Sequence, residues 1–390
     1  METVLLTNGF LSKTLAVVRS LGSKGIRTLV AEKSRYHTSG FSKYCSKTLL
    51  SPDVKTESER YLTWLIDTVN REQVDTFIPM DDDTMQFAIK YRHQLEPICK
   101  VPLPPTESYH IAADKGKTLR RAAELGVPAP RTVFMEGNEA ITTEWLRKLT
   151  GSMQYPLVIK PTHSSGSRGI RFVESPEALF ATYNTVHEQY PYPLIQELIP
   201  QGKKYDVCVC YDAGHELKAT FVQQEIRNYP IERGPSTVHE SAYVPGLIEH
   251  TQKLMDGMEW IGVADVEYMI DPRNGEPKLM EINPRFWSST HLSIRSGVDF
   301  PWILYQLAGE QEVQPVNEYI VGKRGRSLLP GDILHFLSNP KRMAMDPPFW
   351  TTTLPDDILS KDDPWPTFGF FLSALRYGWQ PQTWRFVLRR

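Results

Sequence analysis

Two apolar runs, GVADVEYMI from Gly262 and PKLMEIN from Pro277, flank the segment Asp271-Pro272-Arg273-Asn274-Gly275-Glu276. Asp-Pro followed by Asn-Gly is a turn signal. Proline fixes one φ, and Asn-Gly accepts the positive φ values that a tight reversal needs. The chain is expected to fold back here as an antiparallel hairpin. Pairing Ile270 with Lys278 sets Glu267 directly opposite Glu281. Residues two apart on a strand share a face, so Asn283 joins Glu281. Two carboxylates opposed across strands repel. A hard cation between them removes the repulsion, and an all-oxygen set suits Mg2+ or Mn2+, with water and substrate phosphates completing the shell. Arg285, just past the hairpin, then has a phosphate or a developing oxyanion within reach. Taken alone, the stretch suits an exposed hairpin with scattered charges equally well.

A second feature points the same way. PLVIKP places Lys160 at the end of an apolar strand, where lysine is uncommon. Directly after it runs His163-Ser164-Ser165-Gly166-Ser167-Arg168-Gly169. Small residues let backbone N–H groups close over phosphate oxygens. The lysine precedes the glycines, so this is not a Walker A loop. It fits a flap over phosphates, and equally a plain Gly/Ser hairpin tip.

Around these pieces the chain alternates. ETVLLTN, IRTLVAE and DTFIPMDDD read as strands, with helices over GFLSKTLAVVRSLGSKG and TMQFAIKYRHQLE. That is a doubly wound α/β pattern. Its first turn, Thr7-Asn8-Gly9-Phe10, has one glycine and is no dinucleotide fingerprint. The triad Asp81-Asp82-Asp83 reads as a solvated loop or as a grip on an amine. VPLPPTES from Val101 is a linker, and IAADKGKTLRRAAELGV a single helix closed by Gly126. Further strands are expected at PLIQELI, KYDVCVCYD and ELKATFVQQEI, a helix near LIEHTQKLMDGMEW, and a helical, proline-broken last section.

Composition narrows the function. With 390 residues and a net charge of −2, the chain is long enough for two or three domains and lacks the basic balance of a nucleic-acid binder. The four cysteines, Cys45, Cys99, Cys208 and Cys210, show neither metal nor disulfide spacing and read as reduced thiols. METVLLTNGFLSK is not a secretory signal, and no apolar run approaches the ~20 residues of a membrane span. A cytoplasmic location is expected. The aromatic and basic stretch Phe368–Arg390 reads as a helix docked on its own protein or as a membrane or partner contact.

From Met1 to about Glu310 this order of pieces resembles the ATP-grasp superfamily of carboxylate–amine ligases. It is most similar to the carboligase members that resemble carbamoyl-phosphate synthase modules. The paired segments GVADVEYMIDP and KLMEINPRFW carry the resemblance most specifically; VIKP with its Gly-rich loop and DKGKTLRRAAELGVPAP add to it. The resemblance implies an α/β fold: a Rossmann-like N-terminal domain over 1–112, a two-lobed α+β ATP-grasp domain with its small lobe over 113–195 and large lobe over 196–310, and a helical C-terminal segment over 311–390. It implies ATP with Mg2+ or Mn2+ as cofactors. Lys115 and Lys160 would contact the phosphates, Ser164, Ser165, Gly166, Ser167 and Gly169 would form the flap, and Gln196, Glu197, Leu198 and Ile199 would border adenine, with Glu197 as side-chain partner. Glu267, Glu281 and Asn283 would hold the metal, and Arg285 would steady the acyl phosphate or tetrahedral species. Lys203 and Lys204 stand where the family commonly has the ribose-binding acid, leaving Asp206, or contacts from elsewhere, to take the ribose. By the same analogy a carboxylic acid and an amine or amino acid meet beside the N-terminal domain, with Arg227, Arg233 or Arg295 as acid clamps, and a homodimer is the usual assembly among relatives. The implied reaction forms an amide through an acyl phosphate. The rival readings are a kinase acting on a small acid or enol, and a non-catalytic ATP-binding regulator.

Overall fold

The computed structural model describes residues 2–135, 137, 140–163, 169–231 and 234–377. The chain opens with β1 (Thr3–Leu6), α1 (Ser12–Ser23), β2 (Arg27–Glu32), β3 (Lys47–Leu50), α2 (Ser58–Glu72), β4 (Thr76–Ile78) and α3 (Asp82–Lys90). The strands are parallel in the order β3-β2-β1-β4. A parallel sheet is covered on both faces, which is why these strands are near-continuous apolar runs. Period-2 alternation divides them. Leu5, Leu29 and Phe77 pack with α2 and α3, while Val4, Leu6, Val30 and Ile78 pack with α1 and with Phe221, Phe286 and Phe300 from later in the chain. The second face therefore joins this unit to the large sheet and its helices through one continuous core.

The acidic triad is not a loop. The Asp81 carboxylate accepts from the Thr84 N–H at 2.9 Å and caps α3, which begins at Asp82. Carboxylates there also favour the positive end of the helix dipole.

After α4 (Arg92–Leu95), the stretch expected to be one helix is two: α5 (Thr106–Ala112) and α6 (Lys115–Glu124). Asp114 breaks it by leaving the helical conformation and capping the Lys117 N–H at 3.0 Å. Then come β5 (Thr132–Val133), α7 (Thr143–Thr150), β6 (Leu157–Lys160), β7 (Arg171–Val173), α8 (Pro176–His187) and β8 (Leu194–Glu197), with an antiparallel sheet ordered β5-β8-β6-β7.

The large sheet contains β9 (Lys204–Tyr211), β10 (Leu217–Asn228) and β11 (Ser236–Ala242), then, after α9 (Pro245–Asp256), β12 (Gly262–Ile270) and β13 (Pro277–Asn283). Helices α10 (Thr290–Ser296) and α11 (Phe300–Ala308) come next.

The last section corrects an expectation. It is not simply helical: β14 (Arg324–Arg326) adds a strand to the large sheet, whose order is β13-β12-β9-β10-β11-β14. Short α12 (Ile333–Ser338) and α13 (Trp365–Tyr377) complete the described chain. Arg19 of α1 straps this section down, donating to the Asp363 carboxylate at 2.9 Å and to the Asp357 and Ile358 carbonyls at 2.9 and 2.8 Å. Among the described residues no helix is long and apolar enough to cross a membrane.

Candidate active site

The hairpin forms as expected, and Glu267 pairs with Glu281. The route to that register differs. Near the turn Ile270 pairs with Pro277 and Met269 with Lys278; a β-bulge at Met280 then shifts the pairing by one. The bulge takes up the residue that the shorter turn leaves over and restores the carboxylates to opposite positions.

Strand order extends the polar row. In register across the sheet stand Ser241 of β11, Gln223 of β10, Asp206 of β9, Glu267 of β12 and Glu281 of β13. Asn283 donates to the Glu267 carboxylate at 2.7 Å, and Asp265 lies at 3.3 Å from the same amide nitrogen. Removal from water, then Glu281 and Asp265, push the Glu267 carboxyl well above the usual range. Burial likewise pushes Asp265 up to about 7. Glu281 goes the other way: burial raises it, but Lys115, Lys160 and Arg285 outweigh burial and hold it ionised.

Lys115 begins α6, and its ammonium sits 2.8 Å from Glu281. Its backbone N–H donates to the Thr162 carbonyl at 3.0 Å, tying α6 to the end of the Lys160 strand. Lys160 donates to Gln196 Oε1 at 2.7 Å. Burial brings its pKa down to about 8 against the pull of Glu281 and Glu267. Three separate sequence segments thus converge: the α6 N-terminus, the β6 end and the hairpin.

Arg285 completes the group. It donates through Nη2 to Asn283 Oδ1 at 3.0 Å, through Nη1 to the Phe286 carbonyl at 3.2 Å and through Nε to Asp82 Oδ1 at 2.6 Å. A guanidinium has five N–H groups, so one on each terminal nitrogen is left to point at a ligand. Asp82 comes from the start of α3, and sequence reasoning did not assign it this role. Alongside, Lys13 of α1 donates to the Phe286 carbonyl at 3.0 Å; burial, then Arg285, bring its pKa down to about 7. No local signal marks either residue, because each meets Arg285 only through packing of α1 and α3 against the segment after β13.

The remaining expected site residues divide between the cleft and the scaffold. Gln196, not Glu197, is the side chain beside Lys160; it is buried and also donates to Thr132 Oγ1 at 2.8 Å. Strand alternation turns Glu197 the other way, where it accepts from the Arg131 N–H at 2.8 Å and pairs with Arg273 at 3.3 Å. Leu198 and Ile199 lie just past the strand end, with Ile199 buried. Asp206 is no ribose ligand on an open edge. Its carboxylate is buried, accepts from Gln223 at 2.8 Å, and stands next to Glu267 in register. Lys204, where an acid was looked for, lies 3.5 Å from Glu225. Ser164, Ser165, Gly166 and Ser167 fall outside the described residues, as does Arg233. Gly169 has φ +77°, and a Cβ there would meet Pro161 and Tyr190 at 2.7 Å, so glycine is required at the end of that loop.

Arg227 is not an acid clamp. It is buried with Asp332, Nη1 donating to both carboxylate oxygens at 2.9 and 3.1 Å. Removing one partner of such a pair leaves an uncompensated buried charge. Asp332→Ala should therefore lose about 3–5 kcal/mol in urea unfolding; an unchanged midpoint would show the pair to be dispensable. Arg295 is exposed near the end of α10, and its carbonyl accepts from Lys323 Nζ at 2.5 Å; nothing brings it to the hairpin acids.

Glu267, Glu281 and Asn283 suit a hard dication: hard oxygens, half-buried, with mutual repulsion for a cation to relieve. Among the described residues no three of His, Cys, Asp and Glu gather as a metal-holding group, so phosphate and water oxygens would have to complete the shell.

Residues 112–289 match the family model of the ATP-grasp domain. The chain is 23% identical over 186 residues to the carbamoyl phosphate synthase arginine-specific large chain of Bacillus subtilis (strain 168), covering 46% of this chain and 17% of that one. It is 27% identical over 209 residues to acetyl-CoA carboxylase 2 of Oryza sativa subsp. japonica, covering 47% and 9%. It thus spans less than a fifth of either relative's length. In fold it is similar to a biotin carboxylase from Campylobacter jejuni in complex with β,γ-ATP, with TM-score 0.68, 18% identity and coverage of 83% and 74%. It is also similar to N5-carboxyaminoimidazole synthetase from Staphylococcus aureus, with TM-score 0.65, 14% identity and coverage of 83% and 80%. The hairpin acids, both lysines and Arg285 all lie within residues 112–289, the segment that is similar to the ATP-grasp domain.

Proposed function

We propose that the chain is an ADP-forming ligase that joins a carboxylic acid to an amine through an acyl phosphate. One observation carries this reading. Two basic side chains, two opposed carboxylates, an amide and an arginine, drawn from three segments, meet at one place: Lys115 at 2.8 Å from Glu281, Glu281 opposite Glu267, and Asn283 bridging to Arg285 at 3.0 Å.

ATP is the phosphoryl donor. Glu267, Glu281 and Asn283 would hold Mg2+ or Mn2+, which supplies charge neutralisation along the triphosphate. Lys115 and Lys160 face the phosphates, and water has to be excluded, or the acyl phosphate hydrolyses. The carboxylate of the acid attacks the γ-phosphorus and ADP departs. The amine then attacks the acyl carbon, losing a proton, and phosphate leaves. The two remaining N–H groups of Arg285 face the oxygen on which charge develops. No covalent enzyme intermediate is required. A binding module needs neither the opposed carboxylates nor an arginine held from three sides, which disfavours a non-catalytic regulator. The domain limits at 112, 195 and 310, a cytoplasmic setting and a homodimer belong to the same reading.

Lys160 provides a pH signature. Its pKa is brought down to about 8 without ligand, and an arriving triphosphate favours the ammonium. Below that pH the side chain is already charged, so binding takes up no proton. Above it the neutral amine gains one. Calorimetry of ATP-analogue binding at a pH somewhat above that value should give heats that differ between buffers of different ionisation enthalpy, and Lys160→Met should remove the difference. Equal heats in both buffers for the wild-type chain would place Lys160 away from the phosphates.

The reaction itself is tested by phosphate release from Mg·ATP with acids and amines supplied singly and in pairs, bicarbonate among the acids. Strict dependence on a pair selects the ligase. Dependence on one acid alone selects a kinase, and release with no acceptor under any condition selects neither.

A further inference from the structure

We propose that Lys13, in the first turn of α1, holds the carboxylate of the acid substrate together with Arg285. That the anion is a carboxylate rests on the ligase reading; that an anion is held there rests on the geometry.

Lys13 is an unusual residue for its place. It is only 7% exposed, in a helix turn whose next positions, Thr14, Leu15, Ala16 and Val17, are buried as well. Lysine is almost never buried to that degree without an acid beside it. Among the described residues its ammonium makes no ion pair and one hydrogen bond, to the Phe286 carbonyl at 3.0 Å. An ammonium has three N–H groups, so two are left for a ligand. Arg285 Nη1 donates to the same carbonyl at 3.2 Å. Two cations therefore stand side by side on one oxygen. Asp82 is the counter-ion of Arg285, at 2.6 Å. Asp81 is engaged elsewhere, accepting from the Thr84 N–H at 2.9 Å and from the Asn8 amide at 2.8 Å. Two like charges with one carboxylate in contact suit one further anion. Burial and Arg285 both weigh against the Lys13 ammonium, and an arriving anion offsets both.

Topology marks the same place independently. The chain leaves β1 for β2 on one side and returns from β3 to β4 on the other side of β1. In open parallel sheets, ligands bind outside the carboxyl ends of the strands at such a reversal. Helix α1 starts there after β1, and α3 starts there after β4, with Asn8 and Asp81 bonded across the crevice. Side chains on a helix lean toward its N-terminus, so the Lys13 ammonium and the positive end of the α1 dipole act together. Asp81 caps α3, whereas Leu11 before α1 supplies no side-chain cap. A purely structural role does not account for the lysine. The Phe286 carbonyl keeps its bond from Arg285 without it.

In the reaction, one oxygen of the acid attacks the γ-phosphorus; that O–P bond forms as the bond to ADP breaks. The other oxygen stays against Lys13 and Arg285. It becomes the carbonyl oxygen of the acyl phosphate and takes the negative charge when the amine adds. The C–N bond then forms, the C–O bond to phosphate breaks, and the proton of the amine leaves to solvent. The same two cations serve both steps.

The test measures binding without turnover, on the full chain and without nucleotide, with [1-13C]acetate as the probe and its NMR line broadening as the readout. Acetate should bind the wild-type chain saturably. Lys13→Met and Lys13→Gln should weaken it about tenfold or more, while the affinity for an ATP analogue with Mg2+ stays as in the wild type. Lys13→Met should melt at or above the wild-type temperature, since a buried ammonium without an acid partner is removed. The proposal is overturned if acetate does not bind the wild-type chain, or if either variant binds it as the wild type does. It is overturned if the variants weaken the ATP analogue as much as acetate, since the anion held there is then a phosphate. Loss of the wild-type melting temperature in both variants also overturns it, since the lysine then belongs to the packing. Phosphate release that depends on no acid–amine pair would end the ligase reading and leave a carboxylate site at Lys13 standing; failure of acetate to bind would do the reverse.

Discussion

Glu281→Ala should lower ATP turnover by on the order of 10³-fold, about 4 kcal/mol of transition-state stabilisation, while leaving the fold intact. The carboxylate has two roles in the geometry. It faces Glu267 across the hairpin, and it holds the Lys115 ammonium at 2.8 Å. Removing it takes away a proposed ligand for the dication and the carboxylate that sits 2.8 Å from the Lys115 ammonium. It should not disturb packing, since the side chain points into the cleft and not into the cluster of Val266, Leu279 and Ile282 beneath. Steady-state ADP formation measures the first effect, and thermal unfolding checks the second. Glu281→Ala with full turnover would contradict the metal assignment directly.

Arg285→Lys should be the second largest change, lowering kcat by about 10²–10³-fold with little change in the KM for ATP. Lysine keeps the charge but loses the planar fork. A single ammonium cannot keep the separate bonds to Asp82, Asn283 and the Phe286 carbonyl and still present N–H groups to a substrate. The split between kcat and KM is the informative part. Equal rises in KM would mean that the arginine only binds ATP. Asp82→Asn should fall between Arg285→Lys and the wild type, because the amide oxygen still accepts from Nε but without charge; Asp82 positions Arg285 and does not itself touch the reacting atoms.

The local chemistry of this site was legible because it lies within short segments. Asp-Pro and Asn-Gly announced the hairpin, and alternation placed Glu267, Glu281 and Asn283 on one face. Lys160 was visible as a cation at the end of an apolar strand. What was not legible came from packing between distant segments. Asp82 reads as one of three acids in a loop, and only α3 resting against the residues after β13 brings it to Arg285. Arg227 has the look of an acid clamp until Asp332, more than a hundred residues later, fills its guanidinium. Asp114 breaks a helix that composition alone would continue, because a side chain that caps the Lys117 N–H offers the backbone a better partner at that point. Gln196 and not Glu197 faces Lys160 because the strand's phase relative to β6 is set by pairing with Val158 and Leu157, which no local pattern reveals.

The most direct test of the account is where a metal ion goes. Crystals grown with Mn2+ and a non-hydrolysable ATP analogue, measured for anomalous scattering, should show manganese between the Glu267 and Glu281 carboxylates with Asn283 beside it and the triphosphate reaching Lys115 and Lys160. A manganese peak elsewhere, or nucleotide bound with these two carboxylates left out of contact with any metal, would contradict it.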